Sequence, residues 1–392
     1  MKTIASNLSG NISLVSFTLY FIFNFYDRNI SNIFLIIALL LCFINYKSLY
    51  LTLKINIQLV KTIIIFTVYI SALAVYHATP ISELDNYYRL LLLLPLISIT
   101  FSDDRIKILI FVSAVVAMYH AYNNGAFYGI DLYPVNVHRY AGTSSVAITY
   151  ANMCATLFII CLYFILYKND KSLVNIISAF IFLILFLLTE TRGPIIGIIF
   201  SLLYISYAMK SYSKNNLSSS IPIGLLFIFI SSLLIIPNPV GERLKLVTKL
   251  NLEDPSQIVN SSIRERTYYL NFGIDKIKDN FLTGIGPQNI ESMMTESLES
   301  RGIKNITARD HIHNEFLDIV LKFGFISLII LSLIYLNLVK SKNIETRVLL
   351  NLLMIMLVSS QLTQSQFAHH QAITFFICLF YILQKKIKMK HE

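Results

Sequence analysis

Apolar runs of roughly 15 to 24 residues recur along the chain between short polar breaks, a length that suits a bilayer core when the shorter runs extend into the interface. About twelve such runs are expected to be transmembrane helices, at 12–27, 30–46, 62–79, 88–102, 107–121, 145–167, 174–190, 194–210, 221–237, 315–339, 348–363 and 372–384. The fourth and fifth are separated only by Ser102-Asp103-Asp104-Arg105. One long polar segment interrupts the series, from about Asn238 to Ile312. The pattern therefore predicts an all-α polytopic membrane protein in three parts: helices over 1–237, a loop domain over 238–312, and helices with a terminal tail over 313–392.

Composition agrees, since 55% hydrophobic residues, 14% charged residues and a mean hydropathy of +0.64 do not describe a water-soluble surface of this length. The net charge of +10 would suggest nucleic acid in a soluble protein. Here the bases sit mostly in short loops, where they set orientation, so no nucleic-acid partner is expected. Lys47, Lys54, Lys61, Arg105, Lys107, Lys168, Lys171, Lys210, Lys214, Lys340, Lys342, Arg347 and the Lys385–Lys388 tail fall on one side, whereas the alternate short loops carry only Arg28, Arg89, Arg139 and Arg192. Both termini are then cytoplasmic and the long loop is extracytoplasmic. The four cysteines all lie in apolar runs and suggest neither a disulfide framework nor a metal site. No small-residue cleavage pattern precedes the first run, which is expected to remain as an anchor.

Ionisable chemistry concentrates in the loop and at its exit. Ser261 and Ser262 can cap a helix from Arg264 to about Lys278, Gly284-Ile285-Gly286-Pro287 ends it, and a second short helix is expected over Asn289 to Leu298. Asp310 is placed to cap the helix that carries His313 into the bilayer. His311 lies two positions from His313 and should face elsewhere on such a helix. Glu315 either orients His313 or solvates the helix start, and Lys322 either snorkels or lines a cavity wall. His369-His370 reads as interfacial. A further charged break, Thr189-Glu190-Thr191-Arg192-Gly193-Pro194, puts a guanidinium at a helix end; it can bind phosphate, snorkel to head groups, or pair with Glu190.

Taken together, Thr189-Glu190-Thr191-Arg192-Gly193, the run Ser262-Ile263-Arg264-Glu265-Arg266 with Tyr268-Tyr269, Asp279-Asn280-Phe281-Leu282-Thr283-Gly284-Ile285-Gly286, and His311-Ile312-His313-Asn314-Glu315 with Gly324 resemble the O-antigen ligase/polymerase superfamily. The resemblance implies a GT-C-like, inner-membrane glycosyltransferase with a large, partly helical periplasmic loop. It implies transfer of a glycan from an undecaprenyl-diphosphate-linked O-antigen to the lipid A-core oligosaccharide, with no cofactor and no metal. His313, Arg266 and Arg192 correspond to the family's catalytic positions. Arg139, in His138-Arg139-Tyr140, Arg264, His311 and Glu315 are carried as substrate-binding positions. The chain departs from the pattern at Leu270, where an aromatic is common, and at Ser327-Leu328, where ligases carry Gly-Thr.

The chemistry fits the residue types. A neutral imidazole can deprotonate a sugar hydroxyl, and arginines can stabilise a departing lipid diphosphate. Polymerisation of lipid-linked glycan uses the same donor and remains an alternative. A lipid-linked oligosaccharide flippase is a second one, although no repeated halves with broken helices are visible.

Overall fold

The computed structural model describes residues 2–124, 126, 140–144, 146–212, 220–235, 261–303 and 306–384. Arg139, the 238–260 part of the long loop and the Lys385–Lys388 tail lie outside them. Among the described residues the chain is all-α, without a strand. In order, the helices are α1 (Lys2–Phe23), α2 (Arg28–Ile44), α3 (Tyr46–Ile55), α4 (Ile57–Tyr76), α5 (Asp85–Leu92), α6 (Asp103–Asn123), α7 (Ala147–Leu162), α8 (Leu173–Leu188), α9 (Gly193–Tyr212) and α10 (Ser220–Ile235). Beyond them come α11 (Ser261–Asp279), α12 (Ile290–Ser300), α13 (Glu315–Phe323), α14 (Phe325–Leu338), α15 (Ile344–Thr363) and α16 (His370–Gln384).

Among the described residues five helices are long and apolar enough to cross a membrane: α4, α6, α7 with its π-helical extension to Tyr167, α9 and α15. The α2–α3 pair, bent by 89°, would make a sixth if it is one span. Shorter apolar helices include α8, α14 and α16. This is a membrane protein's architecture, and α2 shows the reason. Ser31, Leu35, Ala38 and Cys42 are buried on one face, while Ile33, Ile36, Leu40 and Phe43 are exposed on the other. Both faces lack charge, so the outer one suits hydrocarbon better than water.

Two of the expected twelve runs are not continuous helices. Over 88–102, α5 stops at Leu92 and a 3-10 turn, Leu94–Ser98, follows, because Pro95 supplies no N–H to prolong an α-helix. Over 315–339 the helix breaks at Gly324, whose φ of +77° no β-carbon-bearing residue adopts cheaply. The short helix α3 was not expected from the pattern.

The described part of the long loop folds around its own core. Tyr268, Tyr269 and Phe272 of α11 pack with Ile290, Met294 and Leu298 of α12 and with Ile312. Gly273 permits this approach, since a β-carbon there would lie 2.6 Å from Ile312 Cδ1. A backbone clasp fastens the loop to the α13–α14 break. Ile285 N donates to Leu321 O (2.8 Å), and Phe325 N donates to Phe281 O (2.8 Å). A β-carbon on Gly284 would meet the Lys322 carbonyl carbon at 2.5 Å, and one on Gly324 would meet Leu282 O at 1.9 Å. The end of α4 is tied in as well: His77 Nε2 donates to Thr283 O at 3.0 Å, and Gln288 bonds both His77 O and Thr79 Oγ1.

Candidate functional site

His313 lies at the exit of this loop with φ +56°, outside any helix. Left-handed backbone at a non-glycine residue costs on the order of 1–3 kcal/mol and persists only when neighbours hold it. Three contacts do so. Ile312 N donates to Asp318 Oδ1 (3.0 Å), Asn314 Nδ2 donates to Leu362 O (3.2 Å), and the His313 ring meets Gln364. The helix that follows is capped by Asn314, whose Oδ1 accepts from Leu317 N (3.1 Å), and not by Asp310 as the sequence suggested. Asp310 instead accepts from His311 Nδ1 at 2.7 Å, and the imidazole holds its carboxyl well below the usual range.

The ring contact with Gln364 decides the chemistry available to His313. Gln364 Oε1 lies 2.8 Å from His313 Nδ1, and a carbonyl oxygen can only accept, so Nδ1 carries the proton and Nε2 keeps its lone pair. The same amide bonds the His369 ring through Nε2. Burial, followed by the charges of His311, Arg266 and His369, lowers the His313 pKa to about 3, against the Gln364 hydrogen bond. Burial likewise takes His369 down to about 4. His313 is therefore a neutral imidazole at physiological pH, already in a base's tautomer.

Aromatic and cationic groups line its surroundings. Tyr269 lies 5.5 Å from the His313 ring, and its hydroxyl donates to Thr307 O at 2.7 Å. His311, expected to point elsewhere, packs edge-on at 4.6 Å, because the two histidines occupy irregular backbone and not successive helix positions. His311 is also 5.8 Å from His369. Arg266 on α11 acts on His313 through its charge, and burial lowers its own pKa. Arg264, two residues before it, is half-buried with Nε unpartnered.

Other expected residues fall elsewhere. Glu315 is fully buried and accepts from Phe367 N (2.8 Å), so it props the 364–369 turn and does not reach His313. Lys322 does not snorkel: it forms a buried 2.7 Å ion pair with Asp318, the residue that holds Ile312. Arg192 stands at the α8–α9 break after Glu190, which also has positive φ (+52°). A β-carbon on the next residue, Gly193, would lie 2.7 Å from Thr363 Oγ1, so the break abuts the end of α15, one residue before Gln364. Among the described residues no group of three or more His, Cys, Asp or Glu side chains is arranged to hold a metal ion.

Gln364 and His369 were missed as site residues. For Gln364 the sequence signal is the run of uncharged polar residues, Thr363-Gln364-Ser365-Gln366, at the end of an apolar helix; for His369 it is the histidine pair read above as interfacial.

Residues 177–332 match the family model described as O-Antigen ligase. This segment is of the O-antigen ligase/polymerase superfamily. Within the superfamily's segment lie Arg192, Arg264, Arg266, His311, His313 and Glu315, whereas Gln364 and His369 follow it. The match supports a glycosyltransferase-like activity of O-antigen ligase or polymerase type in a membrane protein of lipopolysaccharide biosynthesis. No curated protein matches the chain.

Proposed function

We propose that the protein is an O-antigen ligase of the bacterial inner membrane, which moves glycan from undecaprenyl diphosphate to the lipid A-core oligosaccharide on the periplasmic face. The observation that carries the mechanism is the hydrogen bond from His313 Nδ1 to Gln364 Oε1, which leaves Nε2 free to accept a proton. In the reaction, Nε2 takes the proton of an acceptor hydroxyl as its oxygen attacks the anomeric carbon. The bond from that carbon to the phosphate oxygen breaks, and the lipid diphosphate leaves with the electron pair. Arg266 and Arg192 are the groups proposed to hold it, with Arg264 and Arg139 supporting the head group; a guanidinium offers a planar fork to phosphate oxygens.

A pKa near 3 makes His313 a weak base in the free protein. The charges of three neighbours, His311, Arg266 and His369, contribute to that value, and a bound diphosphate would offset them, raising the ring's proton affinity when the donor is present. The loop domain, 238–312, would form the roof over the donor head group, with membrane lipid around the helices.

The test is reconstitution of the purified protein with polyprenyl-diphosphate glycan and lipid A-core. Glycan-capped lipid A-core is expected without an ion gradient, and a folded His313→Ala protein should lose roughly 10²- to 10⁴-fold in rate, the usual share of a general base. Longer lipid-linked chains beside unmodified core would assign the polymerase reaction instead.

A further inference from the structure

The turn that follows α11 sits lower than the tip of an aqueous loop should. Phe281 and Leu282 come after the exposed Lys278 and Asp279, and are themselves 47% and 63% exposed. The Tyr69 hydroxyl reaches Leu282 O at 3.4 Å and Phe323 O at 3.2 Å. Tyr69 lies on α4, a helix long and apolar enough to span a membrane, and precedes its last residue, Tyr76, by seven positions, about 10 Å of rise. Helix side chains lean toward the N-terminus, so the hydroxyl does not reach above the level of Tyr69 itself. By the charge asymmetry of the loops, the end of α4 that carries Lys61 is cytoplasmic, which puts the turn below the outer end of that span. The turn's carbonyls are satisfied from within the protein. Phe281 O accepts from Phe325 N (2.8 Å), Leu282 O from Tyr69, and Thr283 O from His77 Nε2 (3.0 Å). Irregular backbone at membrane depth requires such internal partners, whereas a loop tip in water does not.

We infer that the Phe281–Leu282 turn is a hydrophobic foot of the loop domain, immersed among the acyl chains of the leaflet beneath that domain. It continues a lipid-facing surface. The Phe281 ring stacks on Phe325 at 4.8 Å, and Phe325, Ile326 and Ile329 are exposed along α14. α14 has 14 residues, about 21 Å, against a hydrocarbon core of about 30 Å. Lys340 and Lys342 hold its far end at the cytoplasmic face, so the shortfall lies at the outer end, where the foot adds apolar surface. A contiguous apolar patch of this kind is costly in water and at home in hydrocarbon. Lys276 and Lys278, in the last turn of α11, then stand level with phosphate head groups. Because the same turn is clasped to the α13–α14 break, the foot sets the height of the loop core over the bilayer. It is independent of the transfer reaction proposed above and stands or falls without it.

The chain contains no tryptophan, so a single introduced one reports alone. The full-length Leu282→Trp protein is placed in phosphatidylcholine nanodiscs, with acyl chains either plain or brominated near the head group, and its fluorescence is titrated with aqueous iodide. Leu40→Trp, on the exposed apolar face of α2, is the lipid reference, and Glu299→Trp, exposed at the end of α12, is the water reference. Leu282→Trp should lose emission to the brominated lipid as Leu40→Trp does, and keep its emission in iodide. The larger ring displaces no buried group at an exposed position; if gel filtration nevertheless shows misfolding, Phe281→Trp carries the same reading. Iodide quenching at the level of Glu299→Trp, without loss to brominated lipid, would overturn the foot. Protection from both quenchers would overturn the lipid assignment in favour of cover by protein, such as a second copy of the chain.

Discussion

Replacing Gln364 by Glu exchanges the Nε2 that bonds the His369 ring for an oxygen, adds a charge beside His313 Nδ1, and should convert a pH-independent base into a titrating one. The new carboxylate would stand where Oε1 now lies 2.8 Å from His313 Nδ1. Opposite charges about 4 Å apart in a partly buried setting interact by about 4 kcal/mol, which is about three pK units. Placing a carboxylate at this buried position takes back part of that gain, so the His313 pKa should move from about 3 to roughly 5 or 6. The general base must be neutral in the free enzyme, so kcat/KM falls as pH drops through its pKa. The wild-type protein should then show no acidic limb from His313 above about pH 4, whereas Gln364→Glu should lose activity tenfold for each unit below its new pKa. The assay is the pH profile of kcat/KM for glycan transfer, with folding checked by gel filtration at each pH. Gln364→Leu gives the complementary case: it strands the buried Nδ1–H, at about 1–3 kcal/mol, for a rate loss of roughly 5- to 150-fold without a new limb. Superimposable wild-type and Gln364→Glu profiles, with Gln364→Leu fully active, would refute the tautomer argument.

Other changes probe the arginines and the scaffold. Arg266→Lys keeps the charge but loses the planar fork, so transfer should fall even with saturating acceptor; wild-type kcat/KM would return Arg266 to a structural role. Gly324→Ala combines positive φ with a β-carbon 1.9 Å from Leu282 O, and should cost more stability than the roughly 1 kcal/mol of an ordinary glycine change, read as a lower thermal midpoint. Asp318→Leu should destabilise by about 3–5 kcal/mol because it leaves Lys322 charged and buried, whereas the double change with Lys322→Met should recover much of that. Equal denaturation midpoints for the single and double variants would show that the pair is not coupled.

Apolar length found helices in the sequence wherever the chain could continue them, and failed where one residue stopped them. Pro95 and Gly324 each divide a run whose hydropathy is uniform, because hydropathy carries no information about a missing N–H or a positive φ. The loop helices over 261–279 and 290–300 were legible from helical spacing, although Ser261 and Ser262, expected as caps, lie inside the first of them. The pairing of His311 with His313 was misread because a helical period was applied to two residues before the helix starts. Gln364 and His369 belong to a different kind of information. Their meaning depends on contacts spanning 51 residues in the case of His313 and Gln364, and short uncharged polar residues give no periodic signal.

The seat of Gly193 against Thr363 has a mechanical consequence. Arg192 precedes that contact by one residue, and Gln364 follows it by one, so a single helix-to-helix abutment sits between the candidate phosphate-binding arginine and the partner of the candidate base. The span separating these two groups is then set by close packing of α9 and α15, which yields little to thermal motion. A bulkier residue at 193 would push against the Thr363 hydroxyl as a wedge, prising phosphate grip and proton acceptor apart without deleting either group.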